Sequence, residues 1–141
     1  MSVTVQSGAA STGLAAAAQS DQETATSTTL AVTPGRQQFH PSAAKCWAYV
    51  TVATGTPTLA ASYNITSITD TGVGDLTITI ATDFSSANWC ALASLTLTNS
   101  TTAETVEIFS QAAGSVELKS ILNAVGVTDP VAWHFAGLGD Q

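Results

Sequence analysis

His40 and His134 are the side chains of this sequence best suited to moving a proton near neutral pH. A hydrolytic triad would add a hydroxyl nucleophile and an orienting acid to one of them. Serine and threonine are abundant, so a nucleophile is easily imagined, but no Gly-x-Ser-x-Gly turn is present. His134 stands between Trp133 and Phe135 in an alternating run, so in a strand it points away from both, toward a surface or subunit interface. His40 precedes Pro41, which confines it to extended backbone. Neither reads as a base, and no catalytic residue and no enzymatic activity are expected.

Paired carboxylates are the second chemistry to weigh. Glycoside hydrolysis needs two of them facing across a cleft. Asp70 and Asp75 instead flank Gly72-Val73-Gly74, where Asp side chains bond turn backbone. Glu104 and Glu107 fall on opposite faces of one strand and cannot act together. A calcium loop needs more oxygens than Asp70 and Asp75 supply. No helix follows Gly72-Val73-Gly74, so a phosphate loop fails on context. Cys46 and Cys90 show neither a Cys-x-x-Cys nor a metal spacing, and one disulfide or two free thiols both satisfy the sequence. No metal and no cofactor are expected.

The aromatic side chains remain. Trp47 and Tyr49 share a strand face, and Trp89 and Trp133 lie in other strands. Rings on a sheet stack on sugar rings, but they also fill cores and subunit interfaces. Trp47, Tyr49, Trp133 and His134 are the expected receptor or interface contacts.

The elements that would carry these residues fall into three segments. Residues 1–18 have small side chains and no sustained period, and read as a flexible or anchoring arm. Residues 19–39 read as a short helical connector. Ser20-Asp21-Gln22-Glu23 fits a capping box with a helical turn over 21–25, and Thr26-Ser27-Thr28-Thr29 offers a second cap before Leu30-Ala31-Val32. Pro34 then forces residue 33 out of the helical region. Residues 40–141 read as a β domain. Cys46, Ala48, Val50 and Val52 alternate with Lys45, Trp47, Tyr49 and Thr51; a second strand runs through Tyr63, Asn64 and Ile65 to Ile68. A hairpin at 70–75 leads to Leu76, Ile78 and Ile80, and further strands follow at 89–97, 104–111 and 131–138. Residues 116–118 start another strand, with a helical turn expected near 119–125, where Leu118, Ile121, Leu122 and Val125 fit a helical stripe. The fold class predicted is all-β: an antiparallel β-sandwich, jelly-roll-like, behind a short helical connector.

Composition narrows the function. The chain has 141 residues and 9% charged side chains, where about 25% is usual. Three cations, Arg36, Lys45 and Lys119, face ten carboxylates, for a net charge of -7. A nucleic-acid reader needs a basic stripe, so nucleic acid is not an expected partner. No apolar run is long enough to span a bilayer, and membrane insertion is not expected. The first residues show no basic segment followed by an apolar one, so no secretory leader is expected.

Gln19-Ser20-Asp21-Gln22-Glu23 running through Thr28 into Ala31-Val32-Thr33-Pro34 resembles the connector of tail-fibre proteins of tailed bacteriophages. His40 to Trp47 is similar to the segment that opens a β domain in phage fibre and virion proteins. Tyr63 to Asp75, Phe84 with Asn88-Trp89-Cys90, and Val131 to Gly137 resemble its hairpin, next strand and last strand. Cys46 departs from that pattern, where a small residue is usual. The resemblance implies a virion protein assembled in the host cytoplasm, a homotrimeric knob used for attachment, with no catalytic residues. Gln19, Glu23, Val32 and Pro34 would anchor it to other virion proteins, and host cell-surface polysaccharide would be the receptor. Capsid decoration as a head fibre is the alternative within that class. A free carbohydrate-binding module is the alternative outside it.

Overall fold

Threonine, valine and isoleucine alternating with small residues give strands that bury one face, and two such sheets close over each other here. The computed structural model describes residues 14–97, 103–122 and 126–141. The chain divides into two compact units between His40 and Pro41.

The N-terminal unit holds helix α1 (Gln19–Thr24) and one 3-10 turn (Gln37–Phe39). The N-cap of α1 is Ala18 rather than Ser20. Alanine has no side-chain acceptor, so only the returning half of a capping box forms, with Asp21 Oδ2 accepting the Ala18 N–H at 2.8 Å. Glu23 instead accepts from Gln19 Nε2 at 2.6 Å, one turn away. The second helical turn expected around 30–33 is replaced by extended chain. Ala31 pairs in parallel with Ala16, through Ala17 N–H to Ala31 O and Ala31 N–H to Ala15 O, both 2.9 Å. The expectations for residues 1–13 lie outside the described residues.

The second unit is an all-β antiparallel sandwich. Its strands are β1 (Ala44–Ala53), β2 (Thr56–Tyr63), β3 (Ile65–Gly72), β4 (Asp75–Ile80), β5 (Cys90–Thr96), β6 (Glu104–Ala112), β7 (Ser115–Leu122), β8 (Gly126–Val127) and β9 (Ala132–Leu138). One sheet runs β2-β1-β9-β5; the other runs β3-β4-β7-β6, with β8 paired to β7. The last strand thus lies between the first and the fifth, and β7 returns beside β4, as Greek-key connections do. Cys46, Ala48 and Val50 of β1, Leu76, Ile78 and Ile80 of β4, Val116 and Leu118 of β7, and Trp133 and Phe135 of β9 fill the space between the sheets. Phe84 and Trp89, from the β4–β5 connection, complete this core. They stack at 4.4 Å between centroids, and Trp89 meets Phe135 edge-on at 6.1 Å.

Three sequence expectations are corrected. The single strand expected through residues 63–68 is two strands in different sheets. Asn64 sits between them with φ of 55°, and its amide bonds Thr82 N–H at 2.8 Å and the Lys45 carbonyl at 3.0 Å. Asparagine tolerates that left-handed backbone, and its side chain replaces the sheet bonds lost at the corner. The helical turn expected near 119–125 is strand as far as Leu122, because residues 115–119 pair with β4 and Ile121 and Leu122 pair with β8. Residues 123–125 lie outside the described residues. Lys45 does not share the outer face with Trp47: it is the extra residue of a bulge between Ala44 and Cys46, and it is buried.

Bulges also explain the other parity breaks. Tyr49 and Val50 of β1 oppose Ala61 and Leu59 of β2, which leaves Ala60 as the extra residue. Leu59 therefore packs on the core while Tyr63, four residues later, faces outward beside Trp47. Thr66 is extra in β3, so Ile65 and Ile68 both pack on the core despite their odd spacing.

Candidate functional site

Strand parity and register together build one surface. On the outer face of the β2-β1-β9-β5 sheet, Tyr63, Trp47, Ala136 and Leu92 stand in one row across the four strands. Ala61, Tyr49, His134 and Ser94 form the next row. Trp47 is 41% exposed and Leu92 53%, with Tyr49 and Tyr63 between those degrees of exposure or close to them. Tyr49 and His134 stack with centroids 5.0 Å apart. His134 Nε2 lies 3.0 Å from Thr96 Oγ1, so the imidazole is held from both sides.

The face has relief. Its β2 and β1 half carries the large rings of Tyr63, Trp47 and Tyr49. On its β9 and β5 half, an open depression of about 360 Å³ is lined by Leu92, Ser94, His134 and Ala136 together with Ala93 and Phe135.

It is also electrically bare. None of the ten carboxylates lies on β1, β2, β5 or β9, and their one lysine, Lys45, is buried. Asp70, Asp75, Glu104, Glu107 and Glu117 all belong to the opposite sheet. There Lys119 pairs with Asp75 at 3.0 Å, approaches Glu117 at 3.8 Å, and lies 3.9 Å from the Phe109 ring centroid.

Of the expected contact residues, Trp47, Tyr49 and His134 are brought together. Trp133 is not: it is 2% exposed and belongs to the core, because β9 alternates and His134 takes the outward position. Tyr63 and Leu92 complete the surface and were not singled out by sequence. Leu92 was legible as the alternate of Ala91 and Ala93, but Tyr63 was hidden by the Ala60 bulge. In the connector, Gln19 and Glu23 bond each other, Val32 is exposed, and Pro34 opens the turn closed by Arg36 N–H to Thr33 O at 2.8 Å.

The remaining candidates have local roles. Asp70 Oδ1 accepts the Gly72 N–H at 3.2 Å within the hairpin, and Asp75 is committed to Lys119. Glu104 accepts from the buried Ser120 hydroxyl at 2.9 Å, while Glu107 pairs in register with Lys119. Cys46 and Cys90 are free thiols. β9 runs between their strands, and Cys46 faces the core while Cys90 faces out, so the fold holds them apart. Burial pushes the Cys46 thiol up to about 11, against a smaller lowering by a backbone hydrogen bond with Gly137. Among the described residues no three His, Cys, Asp or Glu side chains gather as a metal site, and no helix is long and apolar enough to cross a membrane.

No protein-family model, curated protein or solved structure matches this chain.

Proposed function

We propose that this chain is a non-enzymatic structural component of a bacteriophage particle, a knob that assembles as a homotrimer and serves in attachment to the host surface. The observation that supports it is the bare aromatic face of the β2-β1-β9-β5 sheet. Centres of protein interfaces are depleted of charge and enriched in Tyr and Trp, which describes this surface and no other sheet of the molecule. The face is built on rigid strands and offers contact area rather than reacting groups. The jelly-roll-like part of the reading rests on the first strand lying beside the last, β1 with β9, in a two-layer sandwich. Residues Gln19, Glu23, Val32 and Pro34 would then join the knob to other virion proteins. Three copies on one knob and several knobs on one particle would multiply weak contacts with envelope polysaccharide.

The test is to probe purified particles from lysing cells with an antibody against this chain. Recovery in a fixed ratio, with copy number a multiple of three, supports the proposal; absence from particles overturns it. Binding of the purified protein to host cells places it at a fibre tip, and binding to empty capsids makes it a head decoration.

A second reading is a free carbohydrate-binding module. The adjacency of Trp47 and Tyr63 across β1 and β2, with Tyr49 two residues along, favours it as a ring platform. That reading requires a protein that stays monomeric and binds glycan.

A further inference from the structure

We propose that a pocket in the N-terminal unit binds a primary ammonium on a short apolar stem, the chemistry shared by a lysine side chain and a free alkylamine. The pocket belongs to a different unit from the aromatic sheet face, and the proposal is independent of the attachment reading.

One buried atom carries the argument. Gln22, on α1, is 3% exposed and lines a cavity of about 200 Å³. Its Nε2 donates to the Arg36 carbonyl at 2.5 Å, which fixes the amide, since the flipped form would set Oε1 against that carbonyl oxygen. Oε1 is therefore the other end of the amide, and it is buried with no donor. Folded proteins leave few such atoms, because an orphaned acceptor forfeits its bonds to water. A ligand that brings a donor to Gln22 would satisfy it.

The rest of the wall selects the donor. Asp21 lines the same cavity beside Gln22. Its Oδ2 accepts the Ala18 N–H, which uses one of the roughly four lone-pair sites of a carboxylate. Among the described residues no cation pairs with Asp21: the Arg36 guanidinium carbon lies 5.6 Å from the Phe39 ring centroid, and the ion pairs are those of Lys119. Ser27 and His40 add polar atoms, and Ala17, Leu30 and Val32 supply apolar lining. An anion would meet the Asp21 charge, and a neutral alcohol would leave that charge unanswered. Water would satisfy Oε1 yet leave the apolar lining wet. A primary ammonium has three donors and a full charge, enough for Asp21 and Gln22 together, and its methylene stem covers the alanine, leucine and valine side chains. The volume, below that of drug-sized pockets, suits a stem the length of lysine's.

The test follows backbone amide shifts of the isotope-labelled full chain by NMR at neutral pH and constant salt. The probe is n-butylamine, protonated there as a lysine is. The expected result is saturable shifts centred on residues 21–27, with none from n-butanol or tetramethylammonium at the same concentrations. Asp21→Asn keeps an acceptor for the Ala18 N–H and removes the charge, and should weaken binding at least about 10-fold. Gln22→Met removes the orphaned acceptor and should weaken binding about 5-fold, with the undisturbed amides of the unit verifying its fold. Asp70→Asn, which makes the same charge change in the other unit, should bind like the parent. Shifts that do not saturate, equal shifts from n-butanol, or an Asp21→Asn or Gln22→Met variant that binds like the parent overturn the proposal. A short blocked peptide with one central lysine, set against the same peptide with norleucine, separates the sources. Binding of the lysine peptide assigns the pocket to a protein side chain, and binding of n-butylamine alone assigns it to a free amine.

Discussion

Tyr49 on β1 and His134 on β9 stand directly opposite each other and stack with their planes 29° apart. This is a cross-strand pair on an exposed face, the unit by which sheets gain stability outside the core. In a double-mutant cycle with Tyr49→Ala and His134→Ala, urea unfolding at low protein concentration should give a coupling of about 0.5–1 kcal/mol. A cycle that closes at zero would mean that the stack is fortuitous.

Trp89 joins the two sheets at one end of the core. Its ring stacks on Phe84, and its Nε1–H donates to the Ala112 carbonyl at 2.9 Å. Trp89→Ala should lower the unfolding free energy by about 3–5 kcal/mol. Trp89→Phe should cost less, although it leaves that carbonyl without its donor and costs about 1–3 kcal/mol on that account. Equal losses for the two variants would show that the lost hydrogen bond, and not the ring's packing, carries the cost.

The Cys46 thiol sets an alkaline limit. Below about pH 9 it is protonated in both the folded and the unfolded chain, and its contribution is fully present. Between about 9 and about 11 the unfolded chain releases the proton while the folded chain keeps it, so stability falls as pH rises through that window. The total loss approaches about 3 kcal/mol for a shift of this size. Chemical denaturation from pH 8 to 11 should show a steeper decline for the parent than for Cys46→Ala. In the folded protein near neutral pH, a thiol reagent should modify the exposed Cys90 and leave Cys46 untouched.

Gly74 is at φ of 70° where the β3–β4 hairpin meets the segment after β8. Its N–H donates to Asp129 Oδ1 at 2.7 Å, and an added Cβ would lie 2.7 Å from both the N and the O of Thr128. Gly74→Ala should destabilise by more than about 1 kcal/mol, since backbone strain and a backbone clash add. A thermal midpoint within a degree of the parent would contradict this close approach.

The strands whose period of two is unbroken were legible in the sequence. β5 and β9 lie where their alternation predicts, and the outward position of His134 follows directly. Bulged strands were not legible. Ala60, Thr66 and Lys45 look like ordinary strand residues, and what makes each one extra is the partner strand across from it, which local sequence does not contain. The candidate surface divides the same way: Trp47, Tyr49 and His134 were accessible to reasoning, and Tyr63 was not. Trp133 was misplaced because a ring in an alternating strand was weighed by its type rather than by its parity with His134. In β7, Leu118, Ile121 and Leu122 match a helical stripe, and pairing with β4, β6 and β8 outweighs that local preference.

With the carboxylates of the sandwich strands all gathered on one sheet, the strands of the sandwich are electrically lopsided. Under the proposed assembly, two copies drifting together would feel a torque that turns their acidic backs apart before any side chains touch. That orienting field reaches about 8 Å at physiological salt and about 30 Å in very dilute buffer. Ionic strength should therefore alter how often an encounter begins in the right attitude more than how long the completed contact survives.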